Sequence, residues 1–162
     1  MKREYPEGPV AAVGVVVLRG SDVLLIRRGK EPTRGRWSLP GGAVELGETV
    51  RQAAEREIEE ECTVAIRATE VIEVLDAITR DHEGRIRFHY TLTELLADYV
   101  SGLPEARSDA LEVRWFREDQ LDSLDILPIS IKVIKAGIHL RDRMRAGEAP
   151  AGESAWKNEF WS

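Results

Sequence analysis

Glutamates are concentrated between positions 48 and 61 at spacings that could hold a metal ion. Glu57 precedes Glu60 by three residues and Glu61 by four, so a helix would place these three carboxylates on one face. Like charges at this spacing repel, and the helix dipole disfavours negative charge in a last turn by roughly 0.3–1 kcal/mol. Local stability gives no reason for the arrangement. Hard cations such as Mg²⁺ or Mn²⁺ prefer carboxylate oxygens and would explain it, whereas a solvated acidic face is the alternative.

The residues around this acidic segment favour a site for a metal and a phosphate. Gly41 and Gly42 permit a close backbone approach, so they can present a carbonyl or amide group to either ligand. Arg56 adjoins Glu57 and could orient a carboxylate through a pair of hydrogen bonds. The acidic helix, the glycines and the arginine together indicate phosphate chemistry that depends on a cation.

The spacing of these residues resembles the Nudix box, G-x5-E-x7-R-E-U-x-E-E-x-G-U, in which U is an aliphatic residue. The matching positions are Gly42, Glu48, Arg56, Glu57, Ile58, Glu60, Glu61 and Val64. Thr63 stands where the pattern has its second glycine. Because that glycine ends the helix and carries no reactive group, we expect an altered helix C-terminus and an intact site.

The resemblance implies that the chain hydrolyses a pyrophosphate bond in a nucleoside diphosphate derivative, and an ADP-ribose-like compound is the expected substrate. It implies Mg²⁺, or Mn²⁺ in its place, held by Glu57, Glu60 and Glu61 with help from the Gly41 carbonyl. Glu48 would support this metal or hold another, and Arg56 would orient a carboxylate. The metal would position the attacking water and withdraw charge from the phosphates.

The resemblance leaves the general base open. It is either a glutamate of the box or an acid ahead of Trp115, where the sequence offers Glu105, Asp109 and Glu112. We include Glu112 among the candidate catalytic residues, although an exposed strand residue is an equal reading of that position. Arg28, Arg36 and Gly42 are the candidate substrate-binding residues, and either arginine could instead be ordinary solubilising charge.

Two other functions are open at this stage. Hydrolysis of nucleoside triphosphates to a monophosphate and pyrophosphate, as in MutT-like pool sanitation, is the alternative within the family. A non-catalytic nucleotide sensor on the same scaffold is less favoured, because all four key glutamates of the box are intact.

The elements that must position these residues can be predicted from periodicity. Strands are predicted at 10–18, 23–28, 37–39, 63–66, 70–78, 85–92 and 111–116, with a loop from Tyr99 to Ser108. Helices are predicted from Thr49 to about Cys62 and from Pro128 to Arg145. Trp37, Phe88 and Tyr90 are expected in the core. The pattern predicts an α+β fold, and the resemblance implies a Nudix-type α/β/α sandwich with a mixed sheet.

Length and charge limit the remaining possibilities. The 162 residues suggest one domain, which we place at 1–147, with a C-terminal tail at 148–162. A net charge of −6 argues against binding a nucleic-acid polymer, but a small nucleotide partner is compatible with it. The apolar run from Val10 to Leu18 is too short to span a bilayer as a helix. The lone Cys62 fits a reducing, cytoplasmic location, and the sequence leaves a homodimer open.

Overall fold

The computed structural model describes residues 2–148, which form a mixed sheet flanked by helices. The strands are β1 (Val10–Arg19), β2 (Asp22–Arg28), β3 (Trp37–Ser38), β4 (Gly41–Ala43), β5 (Ala65–Arg80), β6 (Ile86–Ser101) and β7 (Ala110–Arg117). The helices are α1 (Val50–Cys62) and α2 (Pro128–Arg145), with a 3-10 helix at Glu118–Ser123. The predicted tail lies outside the described residues except for Glu148, whose carboxylate pairs with Arg143.

The sheet is built around β1. Along one edge, β1 pairs with β6 in parallel from Val10 to Leu18. Along the other edge it pairs with β4 over positions 12–14 and with β2 only at its end. β2 in turn pairs with β3 and β7, and β6 pairs with β5 in a long antiparallel hairpin. On that second edge, β4 and β2 pair with separate parts of β1. Leu39 and Pro40 connect β3, the neighbour of β2, to β4.

Each face of the sheet has its own hydrophobic core. One core joins β1 and β2 side chains such as Val15 and Ile26 to Ala54 and Ile58 of α1. The other joins Val16 and Leu25 to Val133 and Ile134 of α2. The two helices therefore cover opposite faces, which confirms the predicted α/β/α sandwich. Among residues 2–148, no helix is long and apolar enough to cross a membrane.

The β5–β6 hairpin differs most from the sequence prediction. Both strands have 16 residues, so β6 continues through the first part of the predicted loop and ends at Ser101. Register shifts interrupt the pairing at four places, and they break the alternation that would reveal the full length of β5. Trp37 is buried against Phe116 as expected, whereas Phe88 and Tyr90 are only half-buried.

Candidate active site

Helix α1 is fixed at its start by a capping box. The Gln52 N–H donates to the Thr49 hydroxyl (3.2 Å), and the Thr49 N–H donates to the Gln52 side chain (2.9 Å). Ala53, Ala54 and Ile58 then face the sheet and are fully buried. This orientation fixes the rotation of the helix, so that Glu57 and Glu61 point towards β4.

The C-terminus of α1 accommodates the residue that departs from the box. Thr63 adopts a left-handed conformation, with φ 57° and ψ 29°, as a glycine would there. Its hydroxyl oxygen lies 2.7 Å from the carbonyl oxygens of both Cys62 and Leu103, so its single proton can be donated to either one. The loop after β6 docks here as well, since Arg107 N–H donates to the Glu61 carbonyl at 2.9 Å. The helix therefore keeps the left-handed C-terminal conformation of a glycine, contrary to the expected alteration, and the Thr63 side chain adds contacts that anchor this end.

The two glycines of β4 lie directly against the acidic face of α1. A Cβ on Gly42 would stand 2.6 Å from Oε2 of Glu57, so only glycine leaves room for that carboxylate. The Gly41 N–H donates to Oε2 of Glu61 at 3.2 Å. Gly41 itself has φ 155°, and a Cβ there would also clash with the backbone of β1. Both glycines thus serve a close approach between strand and helix.

Arg56 gathers the neighbouring carboxylates. Its Nε and Nη2 contact both oxygens of Glu48, at 2.5 and 3.0 Å. Its Nη1 donates to Glu57 at 2.8 Å and to Glu60 at 3.1 Å, and Nη2 also donates to the Ala43 carbonyl at 3.0 Å. The hydrogen bond from Arg56 lowers the pKa of Glu48, and the hydrogen bond to Glu48 raises the pKa of Arg56, so this pair stays ionised.

Glu61 differs from the other carboxylates because it is buried, with 7% of its surface exposed. Burial raises its pKa to about 7, and the negative charges of Glu57 and Asp109 act in the same direction. The Gly41 N–H and the positive charge of Arg28 oppose this shift. Among the described residues, Glu61 therefore forms no ion pair with an arginine or lysine side chain that would balance its negative charge.

The donor set fits a divalent cation, although it is not preformed around one. Among residues 2–148, no three His, Cys, Asp or Glu side chains already surround a common point. The Arg56 guanidinium instead contacts oxygens of Glu57 and Glu60. The possible ligands are all oxygen atoms, and a cation would stabilise the ionised form of the buried Glu61, so the site suits Mg²⁺ or Mn²⁺. The assignment of Gly41, Glu57, Glu60 and Glu61 as metal ligands therefore stays a prediction. Two of these residues are already in contact, through the hydrogen bond from Gly41 N–H to Glu61.

The structure brings Arg28 to the site and leaves Arg36 away from it. Arg28 follows Ile26 on the α1 side of β2, and its charge acts on Glu61. Its buried Nε has no hydrogen-bond partner among the described residues. Arg36 instead donates to the Asp125 carboxylate and the Ile126 carbonyl, both at 3.1 Å, on the way to α2. Arg28 is thus available to a phosphate, whereas Arg36 ties two loops together.

Glu112 does not join the other candidate catalytic residues. On β7, Val113 and Trp115 pack on the α1 side, and Phe116 packs on the α2 side, so alternation puts Glu112 on the α2 side. There it pairs with Arg27 at 3.1 Å and with Arg114. This geometry favours the reading of Glu112 as a surface strand residue. The sheet separates it from the carboxylates of α1.

Asp109 is the loop acid that lies on the side of the box. It acts electrostatically on Glu61, pairs with Lys30 at 2.5 Å, and accepts a hydrogen bond from Gly29 N–H through its carbonyl. The sequence placed Asp109 and Glu112 in the same segment without distinguishing them. The distinction depends on the register between β2 and β7, where a bulge opposite Arg28 shifts the pairing. No local sequence signal could have provided it.

Comparisons with known proteins agree with this geometry. The NUDIX domain family model matches residues 8–136. An ADP-ribose pyrophosphatase of Methanocaldococcus jannaschii is 34% identical over 116 residues, which are 72% of this chain and 66% of that protein, just under two thirds. A putative 8-oxo-dGTP diphosphatase 2 of Mycobacterium tuberculosis is 33% identical over 120 residues, which are 72% of this chain and 79% of that protein.

A solved structure of a Nudix hydrolase is also similar to this chain. The MutT NUDIX hydrolase of Burkholderia pseudomallei superposes with a TM-score of 0.67 at 31% identity, covering 80% of this chain and 98% of that one. The family match includes β4, α1 and the whole acidic segment. With the box residues gathered as described, the chain belongs to the Nudix hydrolase family.

Proposed function

We propose that this protein hydrolyses the pyrophosphate bond of a nucleoside diphosphate derivative of the ADP-ribose type, with Mg²⁺ or Mn²⁺. The observation that carries the proposal is the buried Glu61, held beside Glu57 by the glycines of β4. Such a carboxyl group is unfavourable by itself and becomes useful when a cation and a phosphate approach it.

The residues that would hold the cation are Glu57, Glu60 and Glu61. When bound, a divalent cation supplies positive charge that polarises the phosphate oxygens and makes water a better nucleophile. Arg56 keeps Glu57 and Glu48 oriented, because it contacts both carboxylates at once. These contacts preserve the geometry of the acidic face between turnovers.

The remaining side chains act on the substrate and on the water. Arg28 offers a guanidinium on the α1 side of the sheet, where it can bind a phosphate oxygen of the diphosphate. A water molecule attacks one phosphorus, and the bond from that phosphorus to the bridging oxygen breaks. The water's proton goes to a nearby carboxylate. Asp109 replaces Glu112 as the loop acid that we propose for this role, beside the box glutamates.

A second candidate function is the hydrolysis of a nucleoside triphosphate to a monophosphate and pyrophosphate. It is supported by the 33% identity to a putative 8-oxo-dGTP diphosphatase. The same acidic face would serve this reaction, since both substrates place adjacent phosphates at the metal. The substrates differ in the group that lies beyond the diphosphate.

A substrate panel tests the proposal. Purified protein is incubated with Mg²⁺ and ADP-ribose, NADH, dinucleoside polyphosphates or (d)NTPs, and the products are separated by chromatography. We expect AMP and ribose 5-phosphate from ADP-ribose. Release of pyrophosphate from triphosphates alone would favour the second function. If every compound stays intact while nucleotides still raise the melting temperature, the protein is a sensor and the proposal is wrong.

A further inference from the structure

A buried carboxyl group on β6 has no role in the site described so far. Glu94 is 6% exposed, and its Oε2 accepts no hydrogen bond from any residue in the range 2–148. It directly precedes three buried apolar residues, Leu95, Leu96 and Ala97. A buried, unpartnered carboxyl group is costly, so it requires an explanation.

Gly14 makes room for this carboxyl group. It is the register partner of Glu94 on β1, and a Cβ at Gly14 would stand 2.8 Å from Cδ and 3.0 Å from Oε1 of Glu94. Gly14 is not among the residues with positive φ, so its backbone would accept an alanine. The absence of a side chain at Gly14 therefore leaves the space that the Glu94 carboxyl group occupies.

Glu94 lies on the face of the sheet that α2 covers. Leu96, two residues later, belongs to the α2-side core, whereas Leu95 and Ala97 belong to the α1-side core. Gly14 also pairs with Gly41, whose N–H holds Glu61. Gly14 therefore lies between Glu94 and Gly41 in the sheet, and Glu94 faces α2 whereas the carboxylates belong to α1 on the opposite face. A nucleotide that curves past β4 could reach both.

Aromatic side chains continue from Glu94 along the same face of β6. Alternation places Leu92, Tyr90 and Phe88 in line with it, and all three are partly exposed. The rings of Tyr90 and Phe88 stack with centroids 6.4 Å apart and planes 15° apart. The partly exposed surface of Tyr90 and Leu92 leads along the strand to the Glu94 acceptor, and it suits a flat heterocycle with N–H groups on its edge.

We propose that Glu94 recognises the purine base of the substrate, by accepting hydrogen bonds from its N–H groups while the ring lies along the Tyr90 surface. This inference rests on the proposed function, since it assigns the specificity of the same site. A hydrophobic pocket discriminates weakly, whereas a buried polar group left unpaired by the wrong ligand discriminates strongly. Glu94 would therefore favour a base that fills its hydrogen bonds.

The form of the carboxyl group distinguishes the two common purines. Burial, with the charge of Glu73 on the paired strand, raises the pKa of Glu94 to about 7, so both forms are accessible near neutral pH. The ionised form accepts from the two adjacent N–H groups of guanine. The neutral form accepts from the amino group of adenine and donates to its ring nitrogen. A glutamine at this position can imitate only the second pattern.

Calorimetric titration without metal tests the inference separately from hydrolysis. AMP, GMP and ribose 5-phosphate are titrated into wild type, Glu94→Leu, Glu94→Gln and Gly14→Ala. We expect wild type to bind AMP or GMP at least about tenfold more tightly than ribose 5-phosphate. Glu94→Leu should remove this preference, and Gly14→Ala should weaken it because the carboxyl group is displaced. Glu94→Gln should retain AMP and lose GMP.

Two results would overturn the inference. One is a wild-type protein that binds all three ligands equally or none of them. The other is a base preference that survives in Glu94→Leu. Glu94→Gln keeps the shape of the side chain and removes a buried charge, so its binding data remain interpretable if Glu94→Leu fails to fold. A failed hydrolysis assay beside intact base recognition would reject the proposed function and leave this inference standing.

Discussion

At the scale of single residues, the neighbouring carboxylates of the acidic segment are in different electrostatic states. Glu48 is paired with Arg56 and holds its proton weakly. Glu61 is buried beside Glu57, so it holds its proton more strongly than a glutamate in water. This difference comes from the fold and has a measurable consequence for the metal-free protein.

We predict that the metal-free protein loses stability as the pH rises from about 4.5 to 7. In this window the folded protein keeps the proton of Glu61, whose pKa is raised to about 7, while the unfolded chain releases it. The folded form therefore binds more protons, and the free energy of unfolding falls by an amount on the order of 1–3 kcal/mol. Urea unfolding at several pH values, with a chelator present, measures this loss. Glu61→Gln should have a shallower slope, and equal slopes would contradict the assigned environment.

Substitution of Arg28 and of Arg36 should affect different properties, substrate binding for Arg28 and stability for Arg36. Arg28→Ala should raise the KM for ADP-ribose by roughly tenfold or more, because a charged contact to phosphate is lost. Arg36→Ala should leave kcat/KM nearly unchanged and lower stability by about 1–2 kcal/mol, because its bonds to Asp125 and Ile126 disappear. Steady-state kinetics and urea unfolding on both variants provide the comparison. The reverse pattern would place Arg36 at the substrate.

At the scale of elements, α1 carries the site and depends on its unusual C-terminus. Thr63 is a β-branched residue in a left-handed conformation, which costs roughly 1–2 kcal/mol. Its hydroxyl compensates through the carbonyls of Cys62 and Leu103. A Cβ on Gly102 would stand 2.6 Å from the Thr63 carbonyl, so the loop packs closely against this turn.

A pair of substitutions isolates the strain at Thr63. Thr63→Ala and Thr63→Gly both lack the hydroxyl, but only the glycine is relaxed at positive φ. We predict that Thr63→Gly is more stable than Thr63→Ala by about 1 kcal/mol in urea unfolding. Equal stabilities would mean that the left-handed conformation at position 63 is wrong.

The elements also explain which parts of the site could be predicted from the sequence. Gly42, Arg56, Glu57 and Glu61 belong to one contiguous segment, and helical periodicity is enough to bring them together. Glu112 and Arg28 belong to different strands, and only the register between β2 and β7 decides which face each side chain occupies. Glu94 stands in the sequence as a charge directly before an apolar run, but its partner Gly14 is 80 residues away in sequence.

At the scale of the whole molecule, the sheet divides the tasks. Its α1 side carries the carboxylates and Arg28, which we propose act on phosphate, and its α2 side carries Glu94 and the aromatic pair. The sandwich could be predicted from the element pattern and the family resemblance. The length of the β5–β6 hairpin could not be predicted, because its register shifts break the alternation. That hairpin positions Tyr90 and Glu94.

We propose that the carboxylates of α1 perform the hydrolysis, and a matched pair of glutamates tests this role most directly. Glu57→Gln and Glu112→Gln each remove one negative charge from a partly buried glutamate on opposite faces of the sheet. With ADP-ribose and Mg²⁺, we predict that Glu57→Gln lowers kcat by about 10³-fold or more, whereas Glu112→Gln stays within about threefold of wild type. Full activity in Glu57→Gln, or an equal loss in Glu112→Gln, would contradict the account.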